Sequence, residues 1–222
     1  MEEHRVRILA IEELTHDVKS FRVEKPAGYT FVPGQATEAA LDHPRWRDEK
    51  RPFTFTSLNE WPQLEFTIKI YDDHQGVTQQ LGKLNEGDHL MIHDVWGAIE
   101  YKGPGTFLAG GAGITPFIAI FRELNRQNAL AGNTLYFSNR TDGDIILKDE
   151  LEGYFGENVH HVITRQEDTR FERAFLDEAY IRTNIRDFDQ HFYVCGPEAF
   201  VEDLSGMLER CGARPDAVVF EK

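Results

Sequence analysis

Cysteine is scarce in this sequence, since Cys195 and Cys211 are the only two among 222 residues. A disulfide framework, a zinc ribbon or a ferredoxin-type cluster within one chain needs about four thiols. The H-E-x-x-H spacing of a common zinc site is absent as well. We therefore expect no metal site in this chain, and any metal redox centre would belong to a partner.

Long apolar runs are also missing. No stretch approaches the ~18 apolar residues of a membrane-spanning helix. The first ten residues, MEEHRVRILA, lack the basic region and the apolar stretch of a secretory signal. These absences predict a cytoplasmic protein that does not insert into a membrane.

Positive charge is in short supply: 24 Lys and Arg residues stand against 38 Asp and Glu residues, for a formal net charge of −14. Such a chain repels nucleic acids and anionic membranes. We therefore expect no nucleic-acid partner. What the sequence does contain is a 41% hydrophobic fraction with 12% aromatic residues, which is sufficient for a folded core.

The first hundred residues are rich in short stretches in which apolar and polar residues alternate. This period of two is typical of strands with one buried face. We expect a small antiparallel β-barrel, interrupted by a short helix over residues 77–83. The predicted strands are HRVRILAI, KSFRVE, ATEAAL, RPFTFTS, QLEFTIKIY and DHLMIHDV.

From Gly105 onwards, strands and helices alternate, which predicts an α/β domain with a mostly parallel five-stranded sheet. The segment YKGPG, residues 101–105, separates the two patterns, so we expect domains over residues 1–100 and 105–222. The predicted strands are TFLAG, NTLYFS, HHVIT, HFYVC and AVVFEK. The predicted helices are TPFIAIFRELNRQ, IILKDELEGY, AFLDEAYIR and PEAFVEDLSGMLERC.

The segment GGAGITPF lies between a predicted strand and a predicted helix. Backbone N–H groups and the positive end of a helix dipole at such a junction suit an anion, such as a dinucleotide pyrophosphate. The fingerprint G-x-G-x-x-G is incomplete, because Pro116 stands where a third glycine would follow Gly111 and Gly113. Proline is tolerated in the first turn of a helix. This segment alone is equally compatible with a purely structural turn.

Three other stretches indicate nucleotide binding, although each also has an ordinary structural explanation. In FYVCGPEAF, a strand ends at Cys195, on the edge of the sheet where ligands of open α/β sheets bind. In RPFTFTS, Arg51 suits a phosphate and Phe53 suits a planar ring. In QGVTQQL, Gly76 opens a short helix and provides a second anion site.

Along the chain, the four stretches occur in the order RPFTFTS, QGVTQQL, GGAGITPF and FYVCGPEAF. In that order they resemble the ferredoxin-NADP reductase family, whose members pair a flavin-binding barrel with an NAD(P)-binding α/β domain. The strand motif R-x-[YF]-[ST]-x-x-[ST] is matched over residues 51–57, and GGAGITP and YVCGP match the two nicotinamide-nucleotide motifs, including Pro116. The likeness covers nearly the whole chain. One departure is Trp96, which stands where the family more often has proline or another aromatic residue.

The resemblance implies that the first domain binds FAD, with FMN as the other possibility. Arg51 would bind the flavin phosphate, Phe53 would lie against the isoalloxazine ring, and Thr54 would hydrogen-bond flavin N5. The other residues that the resemblance assigns to the flavin are Ser57, Ile68, Lys69, Tyr71, Gly76, Val77 and Thr78.

For the second domain, the resemblance implies a dinucleotide site and a hydride transfer from NADPH or NADH to the flavin. Cys195 would border the nicotinamide, and Phe220 would cover the flavin ring, so the expected catalytic residues are Thr54, Cys195 and Phe220. The residues implied to hold the dinucleotide are Gly111, Gly113, Thr115, Cys195, Gly196 and Pro197.

The choice between NADPH and NADH depends on the segment after the second α/β strand. Ser138 and Arg140 suit a 2′-phosphate and favour NADPH, whereas Asp142 and Asp144 would repel one. We expect NADPH and leave NADH open.

The expected acceptor is an electron-carrier protein such as a ferredoxin or flavodoxin. Because the chain is acidic, an acidic carrier needs a local basic face, and Arg45, Arg47, Lys50 and Arg51 provide one beside the flavin strand. Two alternatives are the reductase component of an oxygenase and a reductase of free flavin. A third is a nonenzymatic binding subunit that has lost its flavin.

Overall fold

The computed structural model describes residues 2–72, 76–97, 99–214 and, for the backbone alone, 218–220. The chain divides into two compact units. The first comprises Met1–Ala98 and Thr115–Glu123, and the second comprises Ile99–Ile114 and Leu124–Lys222. Each unit is described by itself below.

The first unit contains a six-stranded antiparallel sheet, in the order β4-β3-β6-β1-β2-β5. A bridge between Phe55 and Phe66 joins the chain just beyond β4 to β5, so the two outer strands of the sheet meet. This arrangement confirms the predicted antiparallel β domain. Its elements are β1 (His4–Thr15), β2 (Val18–Glu24), β3 (Ala36–Leu41), β4 (Arg51–Thr54), β5 (Gln63–Lys69), α1 (Val77–Leu81) and β6 (His89–Trp96).

The core of this unit is built by the apolar positions of the alternating strands. Phe21, Phe55 and Phe66 are fully buried, and the Phe55 ring stacks on Phe31 with 4.2 Å between ring centroids. Burial of such rings is the main stabilising contribution to a small sheet domain. Val77 and Leu81 of α1 enter the same core and fix the short helix against the strands.

The second unit contains a parallel sheet in the order β10-β9-β8-β7-β11-β12. The five predicted strands are present, and the two-residue strand β10 is added at one edge. The elements are β7 (Gly105–Gly110), α2 (Thr115–Arg126), β8 (Thr134–Asn139), α3 (Lys148–Phe155), β9 (Val159–Ile163), β10 (Glu172–Arg173), α4 (Glu178–Asn184), β11 (His191–Cys195), α5 (Glu198–Arg210) and β12 (Val218–Phe220).

Most of α2 groups with the first unit, whereas we assigned the whole helix to the second domain. The predicted boundaries 1–100 and 105–222 stay a prediction.

Two helices begin later than the sequence pattern predicts. α3 starts at Lys148 rather than at Ile145, because Leu147 adopts a left-handed conformation with φ of 51° that a helix cannot include. α4 starts at Glu178 because the Asp177 carboxylate accepts a hydrogen bond from the Tyr180 N–H and caps the helix there.

Across the described ranges, no helix has the length and apolar character needed to cross a membrane.

Candidate functional site

The glycine-rich turn after β7 packs directly against the end of β11. Gly111 has φ of 53°, a conformation that glycine adopts at little cost. A Cβ atom at Gly113 would overlap the Cys195 carbonyl and the Gly196 nitrogen. The turn therefore reaches this position only with glycine, and GGAGITP and YVCGP meet at one point of the second unit.

These two motifs lie at the carboxyl ends of neighbouring parallel strands, since Cys195 pairs with Ala109. This edge is where open α/β sheets bind ligands. The Phe200 ring of α5 lies 3.3 Å from the position that a Cβ atom at Gly110 would occupy, and it also packs against Gly196. The sequence pattern did not predict this contact. An aromatic residue on a helix gives no sequence signal that distinguishes this contact from general core packing.

Thr115 opens α2, a helix of 12 residues, and Pro116 is buried in its first turn. The Thr115 side chain is half-buried, and its hydroxyl has no hydrogen-bond partner in the described part of the chain. The helical turn Gly111–Ile114 runs directly into this end of α2, and Pro116 has no N–H group. This first turn can offer a ligand the Thr115 hydroxyl.

The carboxyl end of β8 lies beside the glycine-rich turn that follows β7, because Ser138 pairs with Gly110. Ser138 is half-buried and Arg140 is exposed. Asn139 between them is 4% exposed, yet its amide nitrogen and amide oxygen both lack a hydrogen-bond partner among the residues that the structure describes. Sequence reasoning missed Asn139, since only the structure shows that this amide is buried and unsatisfied.

Arg165 lies next to Arg140 after β9, because its backbone N–H donates to the Arg140 carbonyl over 3.0 Å. Both side chains are exposed, and neither guanidinium has an ion-pair partner within the described ranges. Asp142 and Asp144 both accept hydrogen bonds from other side chains or the backbone. The Asp144 carboxylate accepts from the Thr141 N–H and hydroxyl, each at 2.8 Å, and the Asp142 carboxylate accepts from the Thr169 hydroxyl.

In the first unit, the predicted flavin residues of β4 differ in exposure. The Arg51 guanidinium is exposed and donates to the Lys50 carbonyl over 2.7 Å. Phe53 is half-buried against the core. Thr54 is 6% exposed, and its hydroxyl has no hydrogen-bond partner among the described residues. The Thr54 hydroxyl is therefore available to donate a hydrogen bond to a ligand or to accept one from it.

Other predicted flavin residues take part in the barrel itself. The Ser57 hydroxyl is buried and accepts from the Glu65 N–H over 3.0 Å. The side chains of Ile68 and Val77 belong to the core, so these two residues can offer a ligand only backbone groups. Thr78 is half-buried, and no described residue hydrogen-bonds its hydroxyl.

Lys69 forms an ion pair with Asp17, with 2.7 Å between Nζ and Oδ2. Burial opposes ionisation of Asp17, but the hydrogen bond and charge of Lys69 prevail and lower the pKa of Asp17 below its ordinary value. The Lys69 ammonium also lies 5.9 Å from the ring centre of Tyr71, which is exposed. Gly76 precedes α1, and the residues just before it lie outside the described ranges.

The basic cluster expected at residues 45–51 is partly neutralised by acidic neighbours. Arg47 pairs with Glu3 and lies 3.7 Å from Asp42, and its hydrogen bond lowers the pKa of Glu3. Arg51 lies 3.6 Å from Glu49. Such exposed pairs leave a weaker positive face than the sequence suggested.

The C-terminal strand β12 pairs in parallel with β11, and Phe220 is the partner of Val194. The structure describes only the backbone of Phe220, so its predicted position over the flavin stays a prediction.

Two family models match this chain. An oxidoreductase FAD-binding domain matches residues 5–101, and an oxidoreductase NAD-binding domain matches residues 107–206. Together they span both halves of the chain, in the order that the motifs predict.

Similar proteins include the reductase component of propane 2-monooxygenase from Rhodococcus jostii, 26% identical over 98% of this chain and 63% of that protein. Another is NADH-cytochrome b5 reductase 2 from Yarrowia lipolytica, 27% identical over 90% of this chain and 75% of that protein. A ferredoxin NADP+ reductase from Neisseria gonorrhoeae, solved with bound FAD and NADP, superposes with a TM-score of 0.82 at 18% identity, covering 96% of this chain and 92% of that one. The chain thus spans under two thirds of the propane 2-monooxygenase reductase component.

Proposed function

Because the chain belongs to the ferredoxin-NADP reductase-like family of flavoprotein oxidoreductases, we propose that it oxidises a reduced nicotinamide dinucleotide and passes the electrons through bound FAD to an acceptor protein. The observation that carries this proposal is the contact of Gly113 with Cys195 and Gly196 at the carboxyl ends of two parallel strands. That contact creates a backbone surface that a pyrophosphate can approach closely.

The residues of the first unit fit a flavin. The unpartnered Thr54 hydroxyl can hydrogen-bond a ring nitrogen, the exposed Arg51 guanidinium can bind a phosphate, and Phe53 offers an aromatic face. When bound, FAD supplies the redox chemistry, because it accepts a hydride and releases electrons one at a time. Ile68 and Val77 would contribute backbone groups only, and Lys69 would act while paired with Asp17.

The residues of the second unit fit a dinucleotide. The backbone of the Gly111–Ile114 turn and the start of α2 at Thr115 would bind the pyrophosphate. The unsatisfied amide of Asn139 and the hydroxyl of Ser138 would bind a ribose or an adjacent phosphate. Cys195, with Gly196 and Pro197, would border the nicotinamide.

We favour NADPH as the coenzyme. Arg140 and Arg165 are exposed neighbours that can grip a 2′-phosphate. The Asp144 carboxylate accepts from Thr141 and the Asp142 carboxylate accepts from the Thr169 hydroxyl, so these hydrogen bonds partly offset the repulsion that the two carboxylates would exert on a 2′-phosphate. NADH remains the second candidate, since the relative from Yarrowia lipolytica is named for that coenzyme.

The acceptor is a ferredoxin, a flavodoxin or the terminal component of an oxygenase system. The relative from Rhodococcus jostii is named as a reductase component of a monooxygenase, which supports the oxygenase alternative. Partial neutralisation of the basic cluster around Arg47 and Arg51 argues against strong attraction of a highly acidic carrier.

The test is anaerobic rapid mixing of the FAD-loaded protein with NADPH or NADH, followed by the flavin absorbance near ~450 nm, since the cofactor and not the polypeptide absorbs there. We expect bleaching, faster at low concentrations of NADPH than of NADH. A protein that takes up neither FAD nor FMN would contradict the proposal and support the nonenzymatic binding subunit.

A further inference from the structure

A buried ion pair in the first unit joins helix α2 to strand β5. Arg122 of α2 and Glu65 of β5 are 10% and 12% exposed, with 2.6 Å between Arg122 Nη1 and Glu65 Oε1. The Trp61 ring covers the guanidinium, with its centre 5.2 Å from Cζ. None of the motifs discussed above includes this pair.

The pair also holds the chain that follows β4. Arg122 Nη1 donates to the Thr56 carbonyl oxygen over 2.7 Å, and the Thr56 hydroxyl donates to Glu65 Oε1 over 2.9 Å. The Glu65 N–H donates to the Ser57 hydroxyl. Thr56 and Ser57, which follow Thr54 by two and three positions, are thus held by hydrogen bonds to β5 and α2.

Stability alone does not account for this arrangement. A buried ion pair generally stabilises a protein no better than a well-packed apolar pair of similar volume. An apolar pair cannot, however, donate a hydrogen bond to the Thr56 carbonyl. The particular contribution of Arg122 is therefore to fix a main-chain position close to Thr54.

The same helix carries a predicted dinucleotide contact. Thr115 and Arg122 are seven residues apart, which is about two helical turns and a rise of ~10.5 Å along one face. Thr115, Arg122 and Thr56 all belong to the first unit, so these distances are properties of one compact body.

We propose that Arg122, held by Glu65, is a positioning residue that fixes the Thr54 segment relative to the first turn of α2. This inference rests on the proposed function, in which Thr54 contacts the flavin and Thr115 contacts the dinucleotide. The pair sets the spacing between these two hydroxyl-bearing residues before either ligand binds.

The test compares Arg122→Met with the double variant Arg122→Met/Glu65→Met, which replaces the ion pair by an apolar pair. Arg126→Met, an exposed change on the same helix, is the matched control. Melting temperature, the visible circular dichroism of bound FAD, and kcat and KM for NADPH are measured for each. We expect the double variant to recover most of the melting temperature lost in Arg122→Met.

The double variant should nevertheless keep an altered flavin dichroism and a kcat reduced by about ten-fold to a hundred-fold, the penalty typical of slight misplacement, with little change in KM. Arg122→Lys, which keeps the charge, should recover part of kcat. A double variant with wild-type melting temperature, dichroism and kcat would overturn the proposal, because the pair would then be merely structural.

Amide hydrogen exchange on the FAD-free protein separates this inference from the proposed function. The positioning role of Arg122 predicts faster exchange of peptides covering residues 53–58 in Arg122→Met and in the double variant, and no change in Arg126→Met. Unchanged exchange in those peptides would reject the positioning role of Arg122 even if wild-type protein binds FAD. Wild-type protein that never binds FAD would reject the proposed function, whatever the exchange shows.

Discussion

Gly113 lies so close to Cys195 that the carbonyl group of Cys195 occupies the space of any side chain at Gly113. Gly113→Ala would therefore force the turn away from β11, because the obstructing atoms are backbone and cannot rotate aside. We expect a lower melting temperature and at least about ten-fold weaker NADPH binding, since a displacement near 1 Å disrupts a preorganised site. Calorimetry and coenzyme titration of the FAD-loaded protein measure the two effects.

The control for this change is Gly153→Ala in α3, where a Cβ meets no atom within 4 Å. Alanine in a helix interior is favoured over glycine by roughly 0.5–1 kcal/mol, so this variant should be at least as stable as the wild type. If Gly113→Ala behaved like Gly153→Ala, the turn would have no special role in coenzyme binding.

Arg51→Ala should weaken flavin retention while leaving the fold intact, because the Arg51 guanidinium is exposed and its polar contacts among the described residues are with its sequence neighbours Glu49 and Lys50. Loss of a hydrogen bond to a charged phosphate is worth about 1.5–3 kcal/mol, which corresponds to about ten-fold to a hundred-fold in the FAD dissociation constant. Equilibrium dialysis of FAD checks the value. Arg22→Ala, on the exposed side of β2, is the control, and equal FAD content in both variants would contradict the assignment.

The sequence predicted those features that have a local pattern. Alternation identified the strands of the first unit, and the Gly111 turn before a helical pattern correctly located the start of α2. The two motifs that contain Gly113 and Cys195 also proved to be neighbours in space, as the general rule for parallel sheets predicts.

Features that depend on long-range contacts could not be predicted in this way. In the sequence, Arg122 is one charge among several in a helical pattern, and its partner Glu65 lies 57 residues away. The unsatisfied amide of Asn139 depends on burial, which no local pattern reports. Ser57 fits the flavin motif, but its hydroxyl accepts a barrel hydrogen bond that only the paired strands reveal.

Coenzyme preference provides a test of the loop after β8. Arg140→Ala and Arg165→Ala should each raise KM for NADPH by about ten-fold or more, since each removes a charge-assisted contact to the 2′-phosphate. KM for NADH is the internal control, because that coenzyme has no 2′-phosphate. Equal increases in both KM values would place these residues outside the 2′-phosphate site, and an unchanged KM for NADPH would exclude them from coenzyme binding.

The stability of the second unit should depend on pH through His161 of β9. Burial lowers the pKa of His161 from its ordinary value, and Glu152 only partly opposes this effect, with 3.5 Å between His161 Nε2 and Glu152 Oε1. Protonation of His161 is therefore less favourable in the folded state than in the unfolded chain, where the ordinary pKa of histidine is ~6.5. The unfolded state binds more protons, so the free energy of unfolding is highest above this pH and decreases as the pH falls from about 7 to 5.

His161→Phe should remove this contribution and reduce the pH slope of the unfolding free energy by at most about 1.4 kcal/mol per pH unit. Urea unfolding at pH 7, 6 and 5 measures the slope, and the pH range lies above that in which the lowered pKa values of Glu3 and Asp42 matter. Thr183→Ala, an exposed change in the second unit that removes no titratable group, is the control and should leave the slope as it is. Part of the slope should persist in His161→Phe, because burial also lowers the pKa values of His93 and His160. An identical slope in wild type and His161→Phe would show that His161 accepts its proton equally well in the folded and unfolded states.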